Sequence, residues 1–194
     1  MKPIDLAGFA EKFAASADPW ATLTSRDEAV KRAAILHALG AGPIGRVLEL
    51  ASGNGSNSQA MARRVARLDA TEGTVEGTEL TAAAIGNCPR ARAVRLALPG
   101  RLPRTTYDAV VIAELLYYLS AKDMARLAVD VAGVLRPGGR LVLAHHRMDF
   151  YDFAQHARAI QHRFLRLTGS DWQVRQVRAC SRWSVLAARK SSGA

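Results

Sequence analysis

The stretch RVLELASGNGSNSQAMARRVA, Arg46 to Ala66, runs from a short apolar segment through a turn with almost no side-chain bulk into an amphipathic segment. Few folds open this way. A strand, a glycine turn and a helix let a ligand approach the backbone at the carboxyl end of a sheet, where helix N-terminal amides point outward. Gly53 and Gly55 can take φ values closed to other residues, and the missing Cβ leaves room beside the chain. A plain turn would read the same, so the neighbours matter. Glu49 is an acid near the end of an otherwise buried strand, and Glu79 ends the next expected strand. An acid there can accept both ribose hydroxyls of an adenosine moiety.

The rest of the chain alternates strand-length apolar runs with segments of helical period, the pattern of an α/β domain with a mostly parallel sheet. The expected strands are 46–51, 73–80, 91–97, 107–114 and 140–146. The expected helices are 56–68, 81–88 capped by Thr81, 120–135 capped by Ser120, and one around 152–167. Arg136-Pro137-Gly138-Gly139 breaks the third of these helices. WQVRQVRA and RWSVLAARK, near the C-terminus, read as an antiparallel hairpin at the sheet edge. No internal repeat is evident, and only the last four residues are of low complexity. Residues 1–44 read as a helical extension or lid, and residues 45–194 as the ligand-binding domain.

With 194 residues, 49% of them hydrophobic, the chain can bury one substantial core. Cys88 and Cys180 allow at most one disulfide and lack metal-ligand spacing, so no metal site is expected. Asp5, Glu11 and Lys12 interrupt the N-terminal segment, which therefore reads as no signal peptide, and no later run reaches spanning length. A soluble, cytoplasmic protein without membrane contact is the expectation. The net charge of +10 is uneven: residues 145–194 hold nine basic and three acidic side chains, whereas residues 1–44 hold five of each. A polyanion surface would look like this. So would an arginine-rich solvated surface, which 22 Arg among 27 basic residues and the lack of interleaved aromatics favour.

Two cofactor classes share the strand, turn and helix. A dinucleotide site wants a third glycine, for close packing of helix and strand, where this chain has Ser58. A pyrophosphate gains nothing from a carboxylate such as Glu49, whereas the ammonium of a methionine moiety does. The residues thus favour S-adenosylmethionine over NAD.

VLELASGNG resembles the first motif of class I S-adenosylmethionine-dependent methyltransferases, TEL (78–80) their ribose acid, YDAVVIAELLYYL their fourth strand and following loop, and LRPGGRLVLAHH their turn and fifth strand. DPW (18–20), the 107–119 stretch and a His-rich end to strand five resemble more narrowly the nodulation protein S-like N-methyltransferases. The resemblance implies a Rossmann-like fold with a seven-stranded, mostly parallel sheet, a C-terminal antiparallel hairpin and helices on both faces. It implies methyl transfer to an amine of a small molecule or a deacetylated chitooligosaccharide-like glycan, with S-adenosylhomocysteine as product. Glu49 would hold the methionine ammonium through water or a loop amide, with Ala51, Ser52, Gly53 and Gly55 lining the methionine and ribose. Glu79 would take the ribose hydroxyls, Leu80 would pack on adenine, and an amide near Leu98 would read the ring edge. Glu114, Leu115 and Tyr118 would close over the sulfonium and the acceptor.

Departures from the family pattern are visible. Ala51 replaces the commonest glycine, Ser52 a frequent cysteine, and Ala97 the acid that usually meets the adenine amino group. After DPW, an aromatic pair before a glutamate is replaced by Arg26-Asp27-Glu28.

A nitrogen acceptor must be neutral to attack, and Glu114, His145 and His146, at the ends of strands four and five, are candidates for orienting or taking its proton. Each has an ordinary alternative: Glu114 bonding loop amides, and one of two adjacent histidines facing away. Tyr117 and Tyr118 can offer a ring face to the sulfonium or simply pack. Trp20, with Phe13 and Asp18, reads as part of a lid; Asp149 and Asp152 would add polar contacts to a glycan. Cys88 reads as structural. Two competing functions remain: an RNA or protein methyltransferase using the basic C-terminal quarter, and a non-catalytic S-adenosylmethionine-binding protein. No NPPY-type loop for flipped bases follows strand four. The acceptor and the oligomeric state are not legible.

Overall fold

The structure, a computed structural model, describes residues 3–191. Met1 and Lys2 of the N-terminal extension and residues 192–194 of the low-complexity tail lie outside them. The elements run α1 (Leu6–Ala15), α2 (Arg26–Leu39), β1 (Ile44–Leu50), α3 (Ser56–Ala62), β2 (Val65–Glu72), α4 (Val75–Ile85), β3 (Ala91–Arg95) and β4 (Tyr107–Ala113). A 3-10 turn (Leu116–Tyr118), α5 (Ala121–Val134), β5 (Leu135–His146), α6 (Ile160–Leu167), β6 (Trp172–Ala179) and β7 (Trp183–Lys190) follow.

One seven-stranded sheet in the order β3-β2-β1-β4-β5-β7-β6 carries the fold. β1 to β5 pair in parallel, and β7 pairs antiparallel with β5 and β6. The chain crosses from one half of the sheet to the other between β1 and β4, so their carboxyl ends open at the switch point where ligands bind in such folds. Alternate residues of the central strands feed two cores. Leu48, Leu50, Val110, Ile112, Leu141 and Leu143 face α5 and α6. Val47, Ala109, Val111, Val142 and Ala144 face α2 and α3.

Where pattern and chemistry agree, the elements fall where the sequence puts them. Ser120 caps α5 by accepting the Asp123 amide at 3.1 Å, and Met124, Leu127, Ala128 and Val131 form its buried stripe. The expected C-terminal hairpin is present.

The chain between 56 and 88 departs from expectation. Residues 56–68 are not one helix, 73–80 is not a strand, and Thr81 caps nothing. α3 stops at Ala62, where the Arg64 amide closes a tight turn onto the Met61 carbonyl at 2.8 Å, and Val65–Glu72 then pairs in parallel with β1. Met61, Val65 and Leu68 sit at helical spacing, which made the two elements read as one. Buried Asp69 hid the strand further; its charge is met by Arg92, by Arg104 at 2.9 Å and by the Tyr107 hydroxyl at 2.8 Å. α4 begins at Val75 because Thr74 accepts the Gly77 amide at 3.0 Å, and Thr81 lies inside it.

Two smaller differences occur nearer the C-terminus. β5 starts at Leu135, with a register shift opposite Asp108 absorbing Pro137-Gly138-Gly139. The helix expected from 152 begins at Ile160; ahead of it, Asp149 ties the loop through the Ala157 amide and His156, each at 2.6 Å. Cys88 and Cys180 are free thiols. No helix among the described residues is long and apolar enough to cross a membrane.

Candidate active site

The turn after β1 takes its shape from three left-handed residues: Ala51 (φ 53°), Gly53 (φ 60°) and Gly55 (φ 78°). Gly55 serves packing, since a Cβ there would lie 2.8 Å from the Thr81 Cα and 2.7 Å from the Ala84 Cβ of α4. Gly53 opens the other way, and a Cβ on it would meet only the Phe13 ring, at 3.8 Å. Ser52 is a strut: its amide reaches the Thr71 carbonyl at 2.8 Å and its hydroxyl lies 2.9 Å from the Thr81 hydroxyl. Glu49 is 1% exposed and accepts the Ser58 hydroxyl. Burial, reinforced by the nearby Glu72 charge and opposed by Ser58, pushes its carboxyl up to about 8. It is walled inside the sheet, with one oxygen committed to Ser58.

Glu72, not Glu79, ends the second strand. Glu79 is exposed on α4, and Leu80, half-buried beside it, does not follow a strand-end acid. The Glu72 carboxylate collects the amides of Gly53 at 3.0 Å, Gly73 at 2.8 Å and Thr74 at 3.1 Å, joining the β1 turn to the start of α4. Burial nevertheless raises its proton affinity above the carboxylate norm, those amides opposing. Ala97 lies alongside, its Cα 3.8 Å from where a Gly73 Cβ would be, and Leu98 packs against the α5-side core.

At the end of β4, Glu114 takes φ 53°, a strained conformation for glutamate. Its Oε1 meets the Lys31 ammonium at 2.6 Å, while its Oε2 accepts the Tyr117 phenol and, at 3.3 Å, the His146 amide. The His146 imidazole is 3.9 Å from Oε2 and half-buried. His145 faces the other way. It is 1% exposed, its Nε2 accepts the Leu116 amide at 3.3 Å, and burial lowers its pKa to about 4. It is a neutral brace for the 3-10 turn and not a proton carrier for an acceptor.

Aromatic rings gather beside Glu114. Tyr117, buried like Leu115, stacks on Phe153 at 3.7 Å; Tyr118 meets Phe9, Tyr117 and Phe153 edge-on at 4.9, 4.9 and 5.2 Å. Burial first, then the Asp152 and Glu114 charges, hold the Tyr118 phenol in its neutral form. Asp152 stands close to this cluster, and its carbonyl accepts the Ile4 amide at 3.1 Å. Asp149 is instead committed to closing its own loop.

The N-terminal segment covers the cradle. Phe13 is buried against Gly53 and Gly77, and Trp20 meets Phe9 and Phe13 at 6.0 and 5.4 Å. Asp18 anchors the turn, accepting the amides of Thr22 at 2.6 Å and Leu23 at 2.9 Å and, at 3.0 Å, the side-chain amide of Asn54 from the β1 turn. Sequence reading missed Glu72, Lys31 and Asn54. Only Glu72 carried a signal, the Glu-Gly-Thr that occurs at 72–74 and again at 76–78.

The cradle fits S-adenosylmethionine. A buried acid at the end of β2 and a turn of small residues, whose Gly53 has no Cβ and is covered only by the Phe13 ring of the N-terminal segment, are the groups that a ribose and methionine need. Residues 47–139 match the methyltransferase domain family. No curated protein sequence matches the chain significantly. Among solved structures, NodS, an N-methyltransferase from Bradyrhizobium japonicum WM9 in complex with S-adenosylhomocysteine, superposes with a TM-score of 0.79 at 16% identity, over 95% of this chain and 97% of that one. A putative methyltransferase from Pseudomonas syringae shares 27% identity at a TM-score of 0.70, over 85% and 99%. Phosphoethanolamine N-methyltransferase 1 of Haemonchus contortus reaches 0.73 at 15% identity, over 98% of this chain and 50% of that enzyme. The chain thus carries a class I S-adenosylmethionine-dependent methyltransferase domain, and in fold it resembles NodS over nearly its whole length.

Proposed function

We propose that the protein transfers a methyl group to an amine nitrogen of a small molecule or a deacetylated chitooligosaccharide-like glycan. One observation carries this reading: the Glu114 carboxylate, locked in a left-handed turn, borders a wall of aromatic rings at the carboxyl end of β4. Carboxylate and ring faces together suit a cationic amine. S-adenosylmethionine, when bound, supplies a methyl on a sulfonium, so the carbon–nitrogen bond forms as the carbon–sulfur bond breaks. The chain's own residues then need only hold, align and dehydrate the partners. Glu72 accepts the ribose hydroxyls, and the Gly53 face lies against the methionine. Phe13 and Trp20 exclude water from above. The acceptor's N–H meets Glu114 Oε2 in exchange for the long 3.3 Å bond from the His146 amide, and Oε2 takes its proton, with the His146 imidazole nearby to pass that proton on.

The test is S-adenosylhomocysteine release with chitosan oligomers and a panel of primary amines. Turnover on at least one amine, lower by about a hundredfold or more in Glu114→Gln and indifferent to moderate salt, is expected. Cofactor binding without turnover on any amine would move the assignment to a non-catalytic binding protein. Turnover on RNA, with affinity falling steeply with salt, would move it to the basic C-terminal surface.

A further inference from the structure

Lys31 lies on α2, outside the segment that matches the methyltransferase domain family. It is 3% exposed, yet its Nζ is within 2.8 Å of Glu28 Oε1 and 2.6 Å of Glu114 Oε1. Burial opposes an ammonium there, but the Glu114 and Glu28 carboxylates outweigh it and hold Lys31 above the ordinary lysine range. Glu28 is a neighbour on the same helix, three residues before Lys31. The contact with Glu114 crosses from α2 to the end of β4. Stability alone does not account for such a group, because apolar residues of similar volume commonly replace a buried ion cluster without loss.

The two oxygens of Glu114 are treated differently. Oε1 is closed by the Lys31 ammonium, whereas Oε2 meets the Tyr117 phenol, the His146 amide and, at 3.9 Å, the His146 imidazole. The backbone under this carboxylate is strained at φ 53° and persists only because its surroundings over-determine it.

We propose that Lys31 is a positioning residue for methyl transfer: its ammonium pins Oε1 of Glu114, so that Oε2 is presented to the acceptor nitrogen in a single orientation. This rests on Glu114 facing the acceptor, as argued above. Lys31 itself touches neither acceptor nor cofactor. Without it, the carboxylate is free to turn about its terminal bond, and the oxygen that Tyr117 and His146 define is no longer held.

The test compares wild type with Lys31→Met and, should that variant not fold, Lys31→Gln, which keeps a polar group at the site. One measurement needs no acceptor. The Tyr117 hydroxyl proton, bonded to Glu114, is sought by proton NMR and assigned by its loss in Tyr117→Phe. A downfield, slowly exchanging resonance is expected in wild type, moving upfield or broadening away in the Lys31 variant. The second measurement uses whichever amine the panel identifies. There kcat falls at least tenfold, while KM for the amine and calorimetric affinity for S-adenosylhomocysteine stay within twofold. Adding Lys31→Met to Glu114→Gln costs nothing further, as expected when Lys31 acts only through Glu114. A Lys31 variant that keeps either the wild-type hydroxyl resonance or wild-type kcat overturns the proposal, as does a wild-type protein with no such resonance. If no amine turns over in wild type, the amine reading fails by itself, and the NMR comparison still decides the role of Lys31.

Discussion

Two glutamates compete for one role, and backbone context separates them. Glu72 terminates a strand with its carboxylate buried and bonded to three amides; Glu79 points to solvent from a helix. Calorimetric titration of S-adenosylhomocysteine should show Glu72→Ala weakening binding at least tenfold, about 1.4 kcal/mol, and Glu79→Ala leaving it within twofold. Loss in Glu79→Ala with Glu72→Ala unaffected would make Glu79 the ribose acid instead. The error in reading is understandable in physical terms. Glu-Gly-Thr occurs at 72–74 and again at 76–78, the second copy running directly into Glu79, and only the threonine of the first copy caps a helix. Only pairing of Val65–Glu72 with β1 makes the first copy the strand end. Glu49 was recognisable as an acid in a buried strand, but its partner Ser58 and its protonation follow from depth in the sheet, which no local spacing encodes. Lys31 left no trace in the sequence, because its partner Glu114 is brought to it only by the packing of α2 on the sheet.

Among the elements, β1, β4, α5 and the C-terminal hairpin were legible because apolar periodicity and turn chemistry agree there. β2 and α4 were not, because buried Asp69 contradicts the strand pattern and its compensation by Arg92 and Arg104 comes from β3 and a distant loop. The seam between the β1 turn and α4 gives an element-level test. Gly55→Ala forces a left-handed alanine and drives its Cβ into the Thr81 backbone, at an expected cost of about 2–5 kcal/mol in urea unfolding. Gly133→Ala is the control. That glycine lies on the exposed face of α5 with nothing within 4 Å of a new Cβ, so alanine should stabilise by about 0.5–1 kcal/mol. A mild effect at Gly55 would mean that α4 does not pack against the turn. β6, the edge strand, carries exposed Arg175 and Arg178, charges that discourage pairing with another chain and place part of the C-terminal excess on a sheet edge.

At the scale of the whole molecule, two buried groups titrate against each other. The Glu49 carboxyl ionises near 4.5 in the unfolded chain and near 8 in the fold, so its contribution weakens stability as pH rises from 4.5 to 8. His145 is displaced from 6.5 down to about 4, so the stability it contributes is whole above 6.5 and is lost as pH falls from 6.5 to 4. Between 4.5 and 6.5 the slopes oppose. Above 6.5 only the carboxyl effect of Glu49 remains. Wild-type unfolding free energy should therefore fall between pH 6.5 and 8, by at most about 2 kcal/mol, and Glu49→Gln should flatten that decline. A variant with the same decline as wild type would show that Glu49 is already ionised in the fold. The sequence by itself determined the α/β class, the glycine turn, the family and the S-adenosylmethionine cofactor, because these depend on residues close together in the chain with a periodic or turn-forming chemistry. Tertiary structure decided which acid ends β2, which histidine faces Glu114 and which cation meets it, because each depends on groups from separate elements brought within hydrogen-bond reach by packing.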